Sequence, residues 1–138
     1  MIAKDIMTEE VLTVSASATV ADAAEALQSM DIRHLPVVEG NSLVGILSDR
    51  DLKSVYMPKL VDGSTLQSIE ERYHAPVTTL MTPDVVKSHP DATLPELIEL
   101  ILENRVGAVP ITDPSTQALL GIVSYVDVLR AAGEALDE

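Results

Sequence analysis

The 138-residue chain has no cysteine, no tryptophan and no phenylalanine, and only three tyrosines. Without cysteine, disulfides, thiolate zinc sites and thiol nucleophiles are all excluded. Hydrophobic residues make up 46% of the chain but aromatics only 2%, so a core must be built from Val, Leu, Ile and Ala. No apolar run approaches the roughly 18 residues of a membrane span. The opening MIAKDIMTEE carries Lys4 with no apolar stretch after it and does not read as a secretory signal. The expectation is a soluble, cytoplasmic protein with no membrane partner.

Cations are scarce as well: nine Lys and Arg stand against 22 acids, a formal charge of −13. They are scattered, and affinity for a phosphate backbone comes from clustered cations displacing counterions. Duplex nucleic acid is therefore disfavoured as a partner. A small phosphate ligand is not, since two or three placed cations suffice for it. Catalytic patterns are missing too, with no Gly-x-Ser-x-Gly elbow, no His-Glu-x-x-His helix and no Gly-x-x-x-x-Gly-Lys loop. The separated His34, His74 and His89 do not form a metal-ligand set. The chain reads as a protein that is neither an enzyme nor a metal binder.

What is present is a repeat. Met7-Thr8 and Met81-Thr82, Val11 and Val85, Ala18-Thr19 and Ala92-Thr93, and Pro36 and Pro110 share one constant spacing. Two extra residues before Gly121 then carry the match on to GILSDRDL at Gly45 and GIVSYVDV at Gly121. Two tandem copies follow, residues 1–57 and 77–138, joined by a connector over 58–76 with a short helix from Ser64 bearing Leu66, Ile69 and Tyr73.

Each copy reads β-α-β-β-α, an α/β (α+β) pattern. Val11–Val14 is a strand candidate. Thr19-x-x-Asp22 and Thr93-x-x-Glu96 are capping boxes that open amphipathic helices. HLPVVEGNSLVGILS is a pair of strands around Gly40-Asn41, and AVPITDPSTQALLGIVS is its longer counterpart. Ser48-x-x-Asp51 and Ser124-x-x-Asp127 open the last helix of each copy.

In this order, Met-Thr, Val-x-x-x-x-x-Ala-Thr, apolar-Pro-apolar and Gly-apolar-x-Ser-x-x-Asp resemble cystathionine-β-synthase-type (CBS) domains. The chain is similar to stand-alone bacterial CBS-pair proteins, including acetoin-utilisation-like ones. The resemblance implies two repeats related by a pseudo-twofold axis, with sheets facing across two clefts. It also implies flat dimers and the sensing of adenine nucleotides or adenosyl compounds: AMP, ADP, ATP or S-adenosylmethionine. Mg²⁺ beside a polyphosphate is compatible with it, and no cofactor is required.

On this resemblance Asp51 and Asp127 accept hydrogen bonds from ribose hydroxyls, with Ser48 and Ser124 near phosphate or ribose at a helix start. Gly45 and Gly121 would let a flat ligand approach the backbone, which a Cβ would block. Pro36 and Pro110 cannot donate and would end strand pairing, freeing Leu35 and Val109 for the adenine edge. The partner repeat would add Val14 to Thr19 at the Asp127 cleft and Ser88 to Thr93 at the Asp51 cleft. Arg33, His34 and Arg50 of the first copy, which have no basic counterparts in the second, would hold phosphate. The alternative is that both Ser/Asp pairs only cap helices.

Three functions remain in view. The first is a non-enzymatic regulatory module that binds an adenine nucleotide and acts on a regulated protein the sequence does not name. The second is a structural dimerisation adaptor with degenerate clefts, and the third a nucleic-acid-binding pair, which the charge disfavours. A homodimer is expected because Leu94, Leu97, Ile98, Leu100, Ile101 and Leu102 cover an apolar arc of roughly 200°, wider than one core face needs. Leu100 is the expected flank.

Overall fold

The computed structural model describes residues 1–30, 32–56 and 66–137. The elements are α1 (Ala3–Ile6), β1 (Val14–Ser15), α2 (Val20–Ser29), β2 (His34–Glu39), β3 (Ser42–Ser48), α3 (Asp49–Tyr56), α4 (Leu66–Tyr73), α5 (Leu94–Asn104), β4 (Ala108–Thr112), β5 (Leu119–Ser124) and α6 (Tyr125–Leu136), with a 3₁₀ turn at Val77–Thr79. The fold is a mixture of helices and strands, α+β. The expected connector helix is present as α4; its expected start at Ser64 lies outside the described residues.

The chain divides into two compact units. One comprises Met1–Val11, Asn41–Leu43 and Val85–Glu138; the other comprises Leu12–Gly40 and Val44–Asp84. They are called here the C-unit and the N-unit. Neither is a contiguous copy of the repeat, because the Met-Thr segment of each copy belongs to the unit that holds the other copy's glycine.

In the N-unit β2 lies between β1 and β3, and β1 runs parallel to β2 with Val14 opposite Val37 and Ser15 opposite Val38. The parallel ladder therefore begins one residue past Pro36. Continued backwards it would place Thr13 against a residue with no N–H to give. The strand expected over Val11–Val14 is accordingly cut to Val14–Ser15, and Val11–Thr13 is irregular. Leu35, Val37, Leu47, Val20 and Val77 are fully buried in this unit's core, with Ala23, Ala24, Leu27, Leu52 and Val55 around them.

The C-unit repeats the plan. β4 and β5 are antiparallel, with Val109 opposite Val123 and Pro110 opposite Ile122. The first strand shrinks to a single parallel bridge, Ser88 to Ile111, again one residue past the proline. The expectation that Pro36 and Pro110 end strand pairing thus needs correction. They stop the ladder with the first strand, but both lie inside their own strands, and Pro110 stays in register with β5.

Local sequence explains the helix starts. At α2 the Thr19 N–H donates to Asp22 Oδ2 (3.0 Å) and the Asp22 N–H donates to Thr19 Oγ1 (3.2 Å). The bond from the Thr19 N–H, aided by the Thr19 side chain, holds the exposed Asp22 carboxyl below its ordinary range. At α5 the same box joins Thr93 and Glu96, at 3.1 and 3.3 Å. Each reciprocal pair satisfies two donors that a helix start otherwise leaves unpaired.

The glycines answer to packing. In the C-unit the Thr8 N–H donates to Ile122 O (2.9 Å) and the Ile122 N–H to Thr8 O (3.0 Å), so Met7 lies over Gly121. In the N-unit Thr82 and Ile46 exchange the same two bonds, at 2.9 and 3.0 Å, and Met81 lies over Gly45. A Cβ on Gly121 would meet Met7 Sδ at 2.6 Å and the Thr8 carbonyl oxygen at 2.8 Å. A Cβ on Gly45 would overlap Met81 Sδ, with its nearest backbone atom, Thr82 O, at 3.2 Å.

Gly121→Ala should therefore destabilise the fold by about 1–3 kcal/mol, the usual range for overpacking a filled site. Gly45→Ala should cost less, because a flexible thioether can move where a ladder carbonyl cannot. Urea unfolding of the two variants checks the order; equal losses below about 0.5 kcal/mol would contradict the contact.

Candidate functional site

The Ser-x-x-Asp segments sit where a strand hands over to a helix. In the N-unit the Ser48 N–H donates to Asp51 Oδ2 (2.8 Å) and the Asp51 N–H donates to Ser48 Oγ (3.2 Å). In the C-unit the Ser124 N–H and hydroxyl both donate to Asp127 Oδ2, at 2.9 and 3.0 Å. The Asp127 N–H returns a bond to Ser124 Oγ at 3.2 Å. Both carboxylates are half-buried at a helix N-terminus, where the helix dipole favours negative charge. Asp127 Oδ1 lies 4.0 Å from the exposed Arg130 guanidinium, a weak surface pair.

A backbone bond closes each turn onto the strand before it. The Asp49 N–H donates to Arg33 O (3.0 Å), and the Tyr125 N–H donates to Gly107 O (2.9 Å). The start of β2 is thereby held against the start of α3, and the start of β4 against α6. This brings Arg33, His34, Asp49 and Asp51 together in the N-unit. At the matching C-unit positions stand Gly107, Ala108 and Tyr125, with Asp127 as the acid.

His34 is half-buried among these groups. Burial lowers its pKa; Asp49 and Asp51 pull it back up, and Arg33 lowers it further. Arg33 itself is exposed and lines a groove between α2 and α3. Arg50 is exposed on the first turn of α3.

The structure corrects one assignment. Gly45 and Gly121 are buried under Met81 and Met7, so neither offers an open face to a flat ligand. Thr19 and Thr93 accept the expected cap bonds through their hydroxyl oxygens. Leu35, Pro36, Val109 and Pro110 have fully buried side chains, so their side chains offer nothing to a ligand, and Val109 is paired opposite Val123. Val14 stands beside Val37 in the N-unit, and in the C-unit the Ser88 N–H donates to Pro110 O (3.0 Å). The sequence reading passed over Asp49, which the Arg33 carbonyl and His34 both meet; its place directly after Ser48 was the available signal. Among the described residues no three His, Asp or Glu side chains cluster as metal ligands, and no helix is long and apolar enough to cross a membrane.

A model of the CBS domain matches residues 3–58 and 77–134. The chain is 31% identical to the CBS domain-containing protein YhcV of Bacillus subtilis, over 96% of this chain and 91% of that one. Its structure is similar to CBSX2 of Arabidopsis thaliana in complex with AMP, with a TM-score of 0.81 and 30% identity over 97% of both chains. It is also similar to AcuB of Vibrio cholerae, a protein assigned to acetoin utilization, with a TM-score of 0.79 and 28% identity over 99% of this chain and 93% of that one.

The environment of His34 makes a pH prediction. In the unfolded chain its imidazole titrates near pH 6.5, and in the fold its pKa is lowered. As pH falls through about 6.5 the unfolded chain takes up a proton that the folded one does not, so stability falls. His34→Gln should therefore lose less stability than the parent between about pH 7 and pH 5. Urea titrations across that range read the difference, and parallel slopes would refute the assignment.

Proposed function

The chain belongs to the CBS domain family, and on that premise we propose that it is a non-enzymatic regulatory module that binds an adenine nucleotide. Its occupancy acts on another protein. The observation that carries this reading is the likeness over nearly the full chain to a CBS pair holding AMP. The paired Ser/Asp helix starts support it, since each offers a half-buried carboxylate of the kind that accepts ribose hydroxyls. The first-strand ladders begin past Pro36 and Pro110, which leaves that strand edge open to an adenine beside Leu35 and Val109, although Val109 itself lies opposite Val123 in the β4–β5 ladder.

His34 and Arg50 flank the Asp51 signature and are the candidates for phosphate contact. Arg33, beside His34, is a third candidate and also lines the α2–α3 groove. AMP, ADP, ATP and S-adenosylmethionine share the adenosyl group that the aspartates and strand edges would bind, and Mg²⁺ would accompany only the polyphosphates.

The same hydrogen bonds favour a second reading. Each aspartate already serves its own cap through Oδ2, as a structural adaptor would require. In either reading the chain is proposed to form a cytoplasmic homodimer. Leu102 and Leu129 are 71% and 64% exposed, whereas Leu100, the flank expected from the sequence, packs against the C-unit core. The dimer surface is thus reassigned to Leu102 and Leu129.

Melting with each ligand separates the two readings. A ligand at a hundredfold excess over its Kd should stabilise the parent by about 2.7 kcal/mol. Asp51→Ala with Asp127→Ala should abolish that gain, while costing about 1 kcal/mol or less per cap in the absence of ligand. No shift for the parent with any adenosyl compound would leave the adaptor as the function.

A further inference from the structure

Sulfur is confined to five methionines, Met1, Met7, Met30, Met57 and Met81. Met1 and Met30 are 56% and 60% exposed, and Met57 lies outside the described residues. Met7 and Met81 are placed differently. Each is half-buried and packs against the core of its own unit, with its thioether seated on a glycine of β5 or β3.

The backbone donors around both sulfurs are already engaged. The Met7 N–H donates to Ala3 O (2.9 Å), and the Thr8 and Ile122 N–H groups donate to each other's carbonyls. The Met81 N–H donates to Val77 O (3.1 Å), and Thr82 and Ile46 exchange the matching pair. Met7 Sδ and the Thr8 carbonyl oxygen lie 2.6 and 2.8 Å from one point, the position of a Gly121 Cβ. An oxygen added to that sulfur would stand beside another acceptor, with the nearby N–H groups committed elsewhere. An acceptor held in such a place without a donor destabilises the fold, and a filled site has no slack for an extra atom. The same holds at Met81, where Thr82 O lies 3.2 Å from the Gly45 Cβ position.

We infer that Met7 and Met81 are modification sites at which oxidation by hydrogen peroxide to methionine sulfoxide loosens the two units. A sulfur lone pair attacks one peroxide oxygen; the S–O bond forms, the O–O bond breaks, and water leaves. Sulfur is oxidised by two electrons and the peroxide is reduced by two. The product is polar where the thioether was apolar, so the side chain leaves its glycine to hydrate the new oxygen. The bonds at Ile46 and Ile122 stand two residues before Ser48 and Ser124, and the strand ends that carry the Ser/Asp boxes loosen with them. Met1 and Met30, exposed already, take up the same oxygen without structural consequence. The inference does not depend on the nucleotide reading.

Graded treatment of the full-length chain with hydrogen peroxide is the test. Peptide mass spectrometry reads each methionine, and urea unfolding reads stability. Stability should hold while only Met1 and Met30 carry oxygen. As Met7 and Met81 convert, the folding equilibrium constant should fall at least about tenfold, within the range of single-site effects. Methionine sulfoxide reductases for both sulfoxide epimers should restore the midpoint. A Met7→Leu, Met81→Leu double variant keeps apolar side chains of similar volume and should be insensitive to the same treatment. A double variant that loses as much stability as the parent would overturn the inference. The parent decides even without that variant. Full conversion of Met7 and Met81 with an unchanged urea midpoint would overturn it, as would a loss that tracks Met1, Met30 or Met57 instead. So would a folded chain in which Met7 and Met81 stay unoxidised after Met1 and Met30 are complete.

Discussion

Two positions that hold a single hydrogen as side chain carry the fold. At Gly45 and Gly121 the methionine of a Met-Thr segment lies directly against the strand, and the following threonine completes a two-bond exchange with the residue after the glycine. Any Cβ there would push away the thioether, and at Gly121 it would push away the ladder carbonyl as well. Because Met7 serves Gly121 and Met81 serves Gly45, each compact unit is finished by a segment from the start of the other copy. The repeats are therefore interdependent by construction, and a fragment cut at the repeat boundary would lack its own Met-Thr partner.

The same geometry sets the ends of β3 and β5, and hence the helix starts that follow. The Ser/Asp boxes hold a carboxylate at the N-terminus of α3 and of α6, and a backbone bond from each helix start fixes the strand opposite. In the proposed site the carboxylate that caps the helix is also the one that would accept the ribose hydroxyls, and its serine places it for both. The two helix starts differ in charge. The N-unit gathers His34, Asp49, Arg50 and Asp51, while the C-unit has Tyr125 and Val126 where the first has Asp49 and Arg50. At these positions the N-unit carries basic side chains that the C-unit lacks.

Much of this was legible in the sequence because the signals were local. The constant repeat spacing, the four Ser/Thr boxes and the helices they open depend on residues three or four apart. Long-range choices were not legible. Nothing near Gly45 names Met81 as the side chain that will cover it, so a ligand was the natural candidate for the space. Helical periodicity placed both Leu100 and Leu102 on a broad apolar arc, but only the neighbours of α5 decide that Leu100 is packed and Leu102 is exposed. Pro36 and Pro110 were read correctly as breaks and wrongly as ends, since the break falls on one edge of the strand and the other edge stays paired at Pro110.

The central claim is that the two Ser/Asp helix starts recognise an adenosyl ligand. Amide chemical shifts of the uniformly ¹⁵N-labelled protein, followed during titration with AMP, test it most directly. The account predicts saturable shifts at Ser48 through Asp51 and at Ser124 through Asp127, with the neighbouring Leu35 and Val109 moving in step. Saturation of the protein with shifts confined to other segments, or no shifts at millimolar AMP, would contradict it.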